Sequence, residues 1–176
     1  MEFKKQPFIP MLFGGDINTY SVARAFYEEY QVKTYVFGKF PSGPSYNSNI
    51  IEYHANLKID TDEVFMQTVR DFAAAHADKT VLTIGCGDSY VALCSRHKDE
   101  MPENVIAPYI DFELMDRLQQ KELFYRLCRE HDIDFPDTLV FRHGMDLDFE
   151  LPFSFPVILK PSNSVMYWEH EFPTQE

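Results

Sequence analysis

Twice in this chain a short apolar run ends in a glycine turn that leads directly into an amphipathic stretch. Residues 8–13 run into Gly14-Gly15-Asp16, and residues 79–84 run into Gly85-Cys86-Gly87-Asp88-Ser89. Runs of this kind lack the in–out alternation of a half-exposed sheet and suit strands buried on both faces, the condition of a parallel sheet covered by crossover helices. The predicted fold class is therefore α/β with a parallel sheet. The first unit is a complete βαβ motif: a strand at 8–13, a helix carrying Tyr20, Ala23, Phe26 (or Tyr27) and Tyr30 at helical spacing, and a second strand at 32–37.

The loop KFPSGPSYNSN follows, its Pro, Gly, Ser and Asn marking irregular structure, with a short strand expected at 49–53. Residues 61–75 read as a helix, with Asp60 and Glu63 in the outline of a capping box and Phe65, Val69 and Phe72 as its buried face. The run 79–84 is a central strand by its β-branched content, 90–97 the next helix, and 105–107 a last short strand before Pro108. Beyond Pro108 the pattern changes. A long helical stretch spans 112–131, with Leu114, Leu118, Leu123 and Leu127 in register and a break expected near Gln119-Gln120. Strand-like runs follow at 138–142 and 155–160. These features divide the chain into a domain at 1–110 and a second part at 111–176, which reads as a domain begun and not finished.

Composition narrows the function. The 176 residues are 45% apolar and 15% aromatic, too apolar for a disordered chain. Sixteen Lys and Arg stand against 28 Asp and Glu, a formal charge of −12 with no basic cluster, so a phosphodiester backbone is a poor partner. Three cysteines without a CxxC pair argue against both a disulfide framework and a Cys-ligated zinc. The histidines form neither HxxxH nor HxH, and no GxSxG elbow is present. The short apolar run near the N-terminus meets Gly14 too early for a signal peptide, and no stretch is long enough to span a bilayer, so the expected location is the cytoplasm, with no membrane partner.

Two features offer chemistry. Backbone N–H groups at a helix N-terminus, approached through glycines, seat carboxylates and phosphates, and ligands of open α/β sheets bind at the carboxyl ends of the strands. Gly14, Gly15 and Asp16 with Gly87, Asp88 and Ser89 are thus candidate substrate-binding residues. Asp16 and Asp88 also have the chemistry of simple helix N-caps, and Cys86, beside a helix start, has either a lowered thiol pKa or, as the favoured reading, the role of a small turn residue chosen for packing. The second feature is a pair of lysines. Lys121 opens the stretch KELFYRLCREH, and Lys160 ends FPVILK before Pro161-Ser162-Asn163-Ser164. An ammonium is a compact charge suited to a polyphosphate, and a Ser/Asn turn adds hydrogen-bond donors around it.

The segment LMDRLQQKELFYRLCREHDIDFPDT…FPVILKPSNSVMYW resembles the entry to an ATP-grasp domain of carboxylate–amine ligases, and within these the D-aspartate-ligase-like branch. A lysine opening the helix before the IDFP turn and the PVILKPS strand some forty residues later carry the likeness. The resemblance implies a Rossmann-like pre-ATP-grasp sheet followed by the start of an α+β ATP-grasp domain. It implies ATP and magnesium as cofactors, with Lys121, Lys160, Ser162, Asn163 and Ser164 around the phosphates and the glycine turns facing small-molecule carboxylate or amine substrates. Amide formation would pass through an acyl phosphate. Gln120 stands where an aspartate is common in the family, the loop after Lys160 has no glycines, and the family's adenine-binding hinge and magnesium-binding Glu and Asn match nothing in the sequence. The chain by itself is therefore expected to be catalytically silent, with no catalytic residue or metal ligand of its own. Oligomeric state stays open, a homodimer being one option.

Two other readings compete. VLTIGCGDS also looks like the first motif of an S-adenosylmethionine-dependent methyltransferase, although Thr83 stands in place of the usual acidic residue, Ser89 in place of a glycine, and three strands precede the motif. The third reading is a binding module without chemistry.

Overall fold

A computed structural model describes residues 2–41, 43–146, 148, 150–162 and 167. The chain forms two compact units, Met1–Phe112 and Glu113–Glu176. In the first, five parallel strands, β1 (Phe8–Phe13), β2 (Thr34–Gly38), β3 (Ile51–Ala55), β4 (Thr80–Gly85) and β5 (Val105–Ile106), form one sheet in the order β3-β2-β1-β4-β5. The chain builds outward from β1 to β3, then crosses back to lay β4 on the other side of β1. The order reverses there, between β1 and β4.

Both sheet faces are covered, which is why the strands read as continuous apolar runs. On one face Ile9, Met11, Phe13, Phe37 and Val81 pack against Phe65, Met66, Val69 and Phe72 of α3 (Asp62–Ala75) and Leu93 and Cys94 of α4 (Asp88–Arg96). On the other, Leu12, Val36 and Ile51 meet Ala23 of α1 (Ile17–Tyr30), with Tyr20, Phe26 and Tyr27 alongside. Alternate residues of β1 thus serve opposite cores, as the twofold repeat of a strand requires. A one-turn helix, α2 (Gly43–Tyr46), lies in the loop expected to be irregular.

Several expectations shift on contact with the structure. The capping box at Asp60 does not form: the N-cap of α3 is Thr61, with no side-chain cap bond, and the Asp60 carboxylate instead accepts from Lys39 Nζ at 2.7 Å. An ion pair with Lys39 thus holds that carboxylate in place of the cap. Helix α4 begins at Asp88, two residues before the expected start, with Gly87 as N-cap, so Asp88 is a first-turn residue and not the cap.

In the second unit, α5 (Phe112–Gln119) and α6 (Lys121–Glu130) are separated at Gln120, where the break was expected. The expected leucine face is only partly realised: Leu114 is exposed, while Met115 and Cys128 are the buried residues of the two helices. Neither 138–142 nor 155–160 forms a strand. A strand needs a neighbour to receive its N–H and C=O groups, and among the described residues of this unit no two segments pair. Residues 155–160 leave Phe155, Ile158 and Leu159 facing solvent at 76%, 81% and 95% exposure.

Candidate functional site

The crossover of β4 brings the two glycine turns, some seventy residues apart in sequence, to the same end of adjacent strands. Phe13 is in register with Gly85, so both turns leave the sheet side by side. Between them lies a cleft of about 590 Å³ lined by Gly14, Gly15, Asp16, Ile17, Lys39, Phe40, Gly43, Pro44, Tyr53, Cys86, Gly87, Ser89 and Tyr90. It occupies the strand-order switch at the carboxyl edge of the sheet, where ligands of open α/β sheets sit. Five of the six residues singled out in the two turns line it. Asp88 is the exception.

Backbone geometry explains the glycines. Gly14 has φ of +144°, and a Cβ there would stand 2.3 Å from Thr19 Oγ1 and 3.3 Å from the Cys86 side chain. A Cβ on Gly85 would meet the backbone of Tyr90 and Val91 at 2.6 Å, so the end of β4 can lie against the first turn of α4 only without a side chain. The Gly85 N–H donates to Tyr109 Oη at 2.7 Å, which ties this edge to the segment after β5.

The two helix starts are not equivalent. Asp16 caps α1: its Oδ1 accepts from Thr19 N at 3.1 Å and from Thr19 Oγ1 at 3.1 Å, and its Oδ2 accepts from Asn18 Nδ2 at 3.0 Å. The N-terminus of α1 thus already faces an anion. Gly87, the N-cap of α4, has no side chain with which to do the same, and the first-turn N–H groups of a helix have no partner within it. Of the two turns expected to seat an anion, the first has used that chemistry internally, and the second has a bare N-cap followed by the acid Asp88.

Around the cleft, Tyr53 Oη donates to the Phe40 carbonyl at 2.8 Å, and Lys39 pairs with Asp60. Burial raises the phenol pKa values of Tyr53 and Tyr90. The Cys86 thiol is pushed up to about 11, chiefly by burial. That removes the lowered value and leaves Cys86 as a small turn residue: loss of hydration for the thiolate outweighs any help from the helix start. Thr83 is fully buried, its hydroxyl 4.0 Å from Met11 Sδ. It faces the core, and it stands where the methyltransferase motif carries its acidic residue.

The second unit holds the lysines. Lys121, first residue of α6, and Lys160 line one cavity of about 500 Å³, together with Glu122, Tyr125, Phe141, Phe153, Val157, Leu159 and Ser162. The Lys121 N–H donates to the Ser162 carbonyl at 3.0 Å, which fixes the start of α6 against the turn after Lys160. Glu122 is ion-paired with Arg142. Asn163 and Ser164 lie outside the described residues. No group of three or more His, Cys, Asp or Glu placed to hold a metal ion occurs among the described residues, and none of their helices is long and apolar enough to cross a membrane.

Sequence reasoning named the glycine turns and both lysines but missed Lys39, Tyr53 and Tyr90. Lys39 and Tyr53 come from strand ends brought in by β2 and β3, and no local motif marks them. Tyr90 was read only as the start of a helix.

No family model matches the chain. Its sequence is 40% identical to D-aspartate ligase of Enterococcus faecium (strain Aus0004), over 96% of this chain and 42% of that protein. The chain therefore spans less than half the length of this relative and corresponds to its N-terminal part. The crystal structure of L-amino acid ligase from Bacillus licheniformis superposes with a TM-score of 0.51 at 17% identity, over 91% of this chain and 38% of that one, a likeness of fold. The chain is thus similar in sequence to the N-terminal part of a D-aspartate ligase and, in its five-stranded parallel sheet, similar in fold to part of an L-amino acid ligase.

Proposed function

We propose that these residues form the N-terminal part of an ATP-dependent ligase that joins a carboxylate of D-aspartate to an amine, with a substrate-binding domain at 1–110 and the opening of the ATP-grasp domain at 111–176. The carrying observation is that Lys121 and Lys160, some forty residues apart, line a single cavity within the second unit. Two lysines lining one cavity, in a chain of net charge −12, are suited to phosphate oxygens. The choice of D-aspartate rests on the 40% identity to an enzyme of that name.

In the reaction a carboxylate oxygen of the amino acid attacks the γ-phosphorus of ATP and ADP departs. The amine nitrogen then attacks the acyl carbon, phosphate leaves, and the nitrogen gives up a proton. Lys121 and Lys160 bind and orient the phosphates, and Ser162, Asn163 and Ser164, which follow Lys160 in sequence, add contacts around them. Gly14, Gly15, Asp16, Gly87, Asp88 and Ser89 shape the substrate cleft, and the α4 start is the seat for a carboxylate. Magnesium supplies charge neutralisation in such reactions. The described residues include no set that fits it, so no step here is assigned to the metal. The chain is proposed to act in the cytoplasm and, taken alone, to be catalytically silent.

Titration of the isotopically labelled chain with a non-hydrolysable ATP analogue tests the reading. Amide shifts are expected at Lys121, Lys160 and Ser162, weakened at least tenfold in Lys160→Ala and unchanged in Lys58→Ala. Absence of any response at α6 and residue 160, or equal response in both variants, defeats the assignment. Release of ADP by the chain alone, lost in Lys160→Ala, defeats the expectation of silence.

A further inference from the structure

We infer that the outer edge of β3 pairs with β3 of a second copy of this chain, antiparallel about a twofold axis at Tyr53, and so joins two copies through one continuous sheet. The inference stands on the first unit alone and does not depend on the ligase reading.

The edges of this sheet are unlike. β5 is two residues long and lies between Pro102 and Pro108, so it offers another chain almost no backbone to pair with. β3 has five residues, IEYHA, with no proline, glycine or lysine to blunt it. Its inner side is taken by β2, in register from Thr34↔Ile51 to Gly38↔Ala55. The hydrogen bonds at its ends fix the direction of its backbone groups. The Thr34 N–H donates to the Ile50 carbonyl at 3.1 Å and the Asn56 N–H to the Gly38 carbonyl at 2.9 Å, so even-numbered residues turn toward β2 and Ile51, Tyr53 and Ala55 turn outward. The Ile51 N–H is taken by the Ser48 carbonyl at 3.2 Å. The Ile51 carbonyl and both backbone groups of Tyr53 and Ala55 therefore lie on a side where no strand stands among the described residues.

Those groups fit a copy of the same strand. With the twofold at Tyr53, each Tyr53 donates to and accepts from its counterpart, and each Ala55 N–H meets the opposite Ile51 carbonyl. The same register sets Glu52 opposite His54 at the non-hydrogen-bonded positions, where side chains stand closest. Within one chain Glu52 Oε1 already lies 3.6 Å from His54 Nε2, and Lys33 Nζ donates to Glu52 Oε2 at 3.0 Å. Across the axis each carboxylate would lie between two imidazoles, its own and the copy's. Sliding the strands by two residues either way sets Glu52 against Glu52 or His54 against His54. The charge order along β3 is thus complementary to itself, which favours a second copy over an unrelated segment as the occupant. Apolar surface flanks the edge on both faces. A groove of about 330 Å³ lined by Tyr35, Phe37, Phe72 and His76 opens beside Glu52 and His54. On the other face Tyr46, 48% exposed, packs edge-on against Tyr53.

Sedimentation equilibrium of the 176-residue chain over a concentration series tests the pairing. The mass is expected to rise from 20.6 kDa toward twice that. Half-association is expected near about 100 μM, since a short strand edge is a small contact. Ala55→Pro removes an outward N–H and leaves the bonds to β2 in place, and it is expected to weaken association about tenfold or more. His54→Glu sets like charges opposite each other and is expected to do the same. Exchanging the two residues, Glu52→His together with His54→Glu, is expected to restore association, because the cross-strand pairs form again with their order reversed. Damage to the fold at position 54 would not be repaired by that exchange. A chain that stays monomeric at millimolar concentration overturns the inference. So does a dimer indifferent to Ala55→Pro, which would assign the contact to another face such as the exposed Phe155, Ile158 and Leu159, and so does an exchange variant that associates no better than His54→Glu.

Discussion

Asp16 and Gly87 occupy the same N-cap position in two βα units, the first with a capping carboxylate and the second without a side chain. The carboxylate of Asp16 caps α1 from within the chain, whereas Gly87 has no side chain with which to cap α4, whose first turn carries its own acid, Asp88. Substituting Gly87→Asp would make the second turn like the first. There is room for it: a Cβ on Gly87 meets nothing nearer than the Tyr90 ring at 4.0 Å, and the φ of −155° is ordinary extended backbone. The variant is expected to fold and to gain about 0.5 kcal/mol from the new cap and its favourable charge at the helix start. It is also expected to lose binding of D-aspartate at the cleft, because the new carboxylate occupies the anion seat. Thermal unfolding together with a D-aspartate titration checks both halves, and a variant that gains stability yet binds as before removes the α4 start from the site. Local sequence showed that each turn had a glycine and an acid. It did not show which acid would turn inward as a cap, since that depends on one residue of offset between glycine and helix start.

Among the elements, those whose partners lie within a few tens of residues were legible. β1 was read to the residue, and α3 and β4 to within one residue at either end, because each shows its burial directly in the apolar pattern. Capping was less legible, since Asp60 had a better partner in Lys39 than the pattern around α3 revealed. The junction of α3 with the end of α4 was not read at all. There Asp62 accepts from Arg96 Nη1 at 2.6 Å and lies 2.7 Å from His97 Nε2, while His97 Nδ1 lies 3.0 Å from Glu100. The His97 hydrogen bond, then that of Arg96, holds the Asp62 carboxyl below its ordinary pKa. A carboxyl whose folded pKa is lowered adds stability above its unfolded pKa and loses it as the pH falls through the folded value. Asp62→Asn is therefore expected to be less stable than the unsubstituted chain at pH 7 and to converge with it as the pH falls below the ordinary carboxylate pKa of about 3.9. Urea midpoints across that range measure the difference, and a gap that stays constant with pH assigns the cost to geometry and not to charge.

At the scale of the whole molecule, what the sequence could not display was adjacency. The two glycine turns were visible as separate motifs, but only the return of β4 to the far side of β1 makes them walls of one cleft and admits Lys39 and Tyr53 beside them. The second unit shows the converse limit, since the runs at 138–142 and 155–160 have the apolar content of strands and no strand forms among its described residues. Strand propensity expresses a capacity for packing and pairing, and it yields a strand only where a partner is supplied. The two units should therefore differ in cooperativity. Both core clusters and the entire sheet lie within residues 1–112, so a chain of those residues alone is expected to unfold in one cooperative transition and to keep the D-aspartate response of the cleft. Residues 113–176 alone, with Phe155, Ile158 and Leu159 exposed, are expected to show helical circular dichroism, a broad thermal profile and binding of a hydrophobic dye. A sharp transition in the shorter piece, or its absence in the longer one, would mean that the cores identified on the two faces of the sheet are not what holds this chain together.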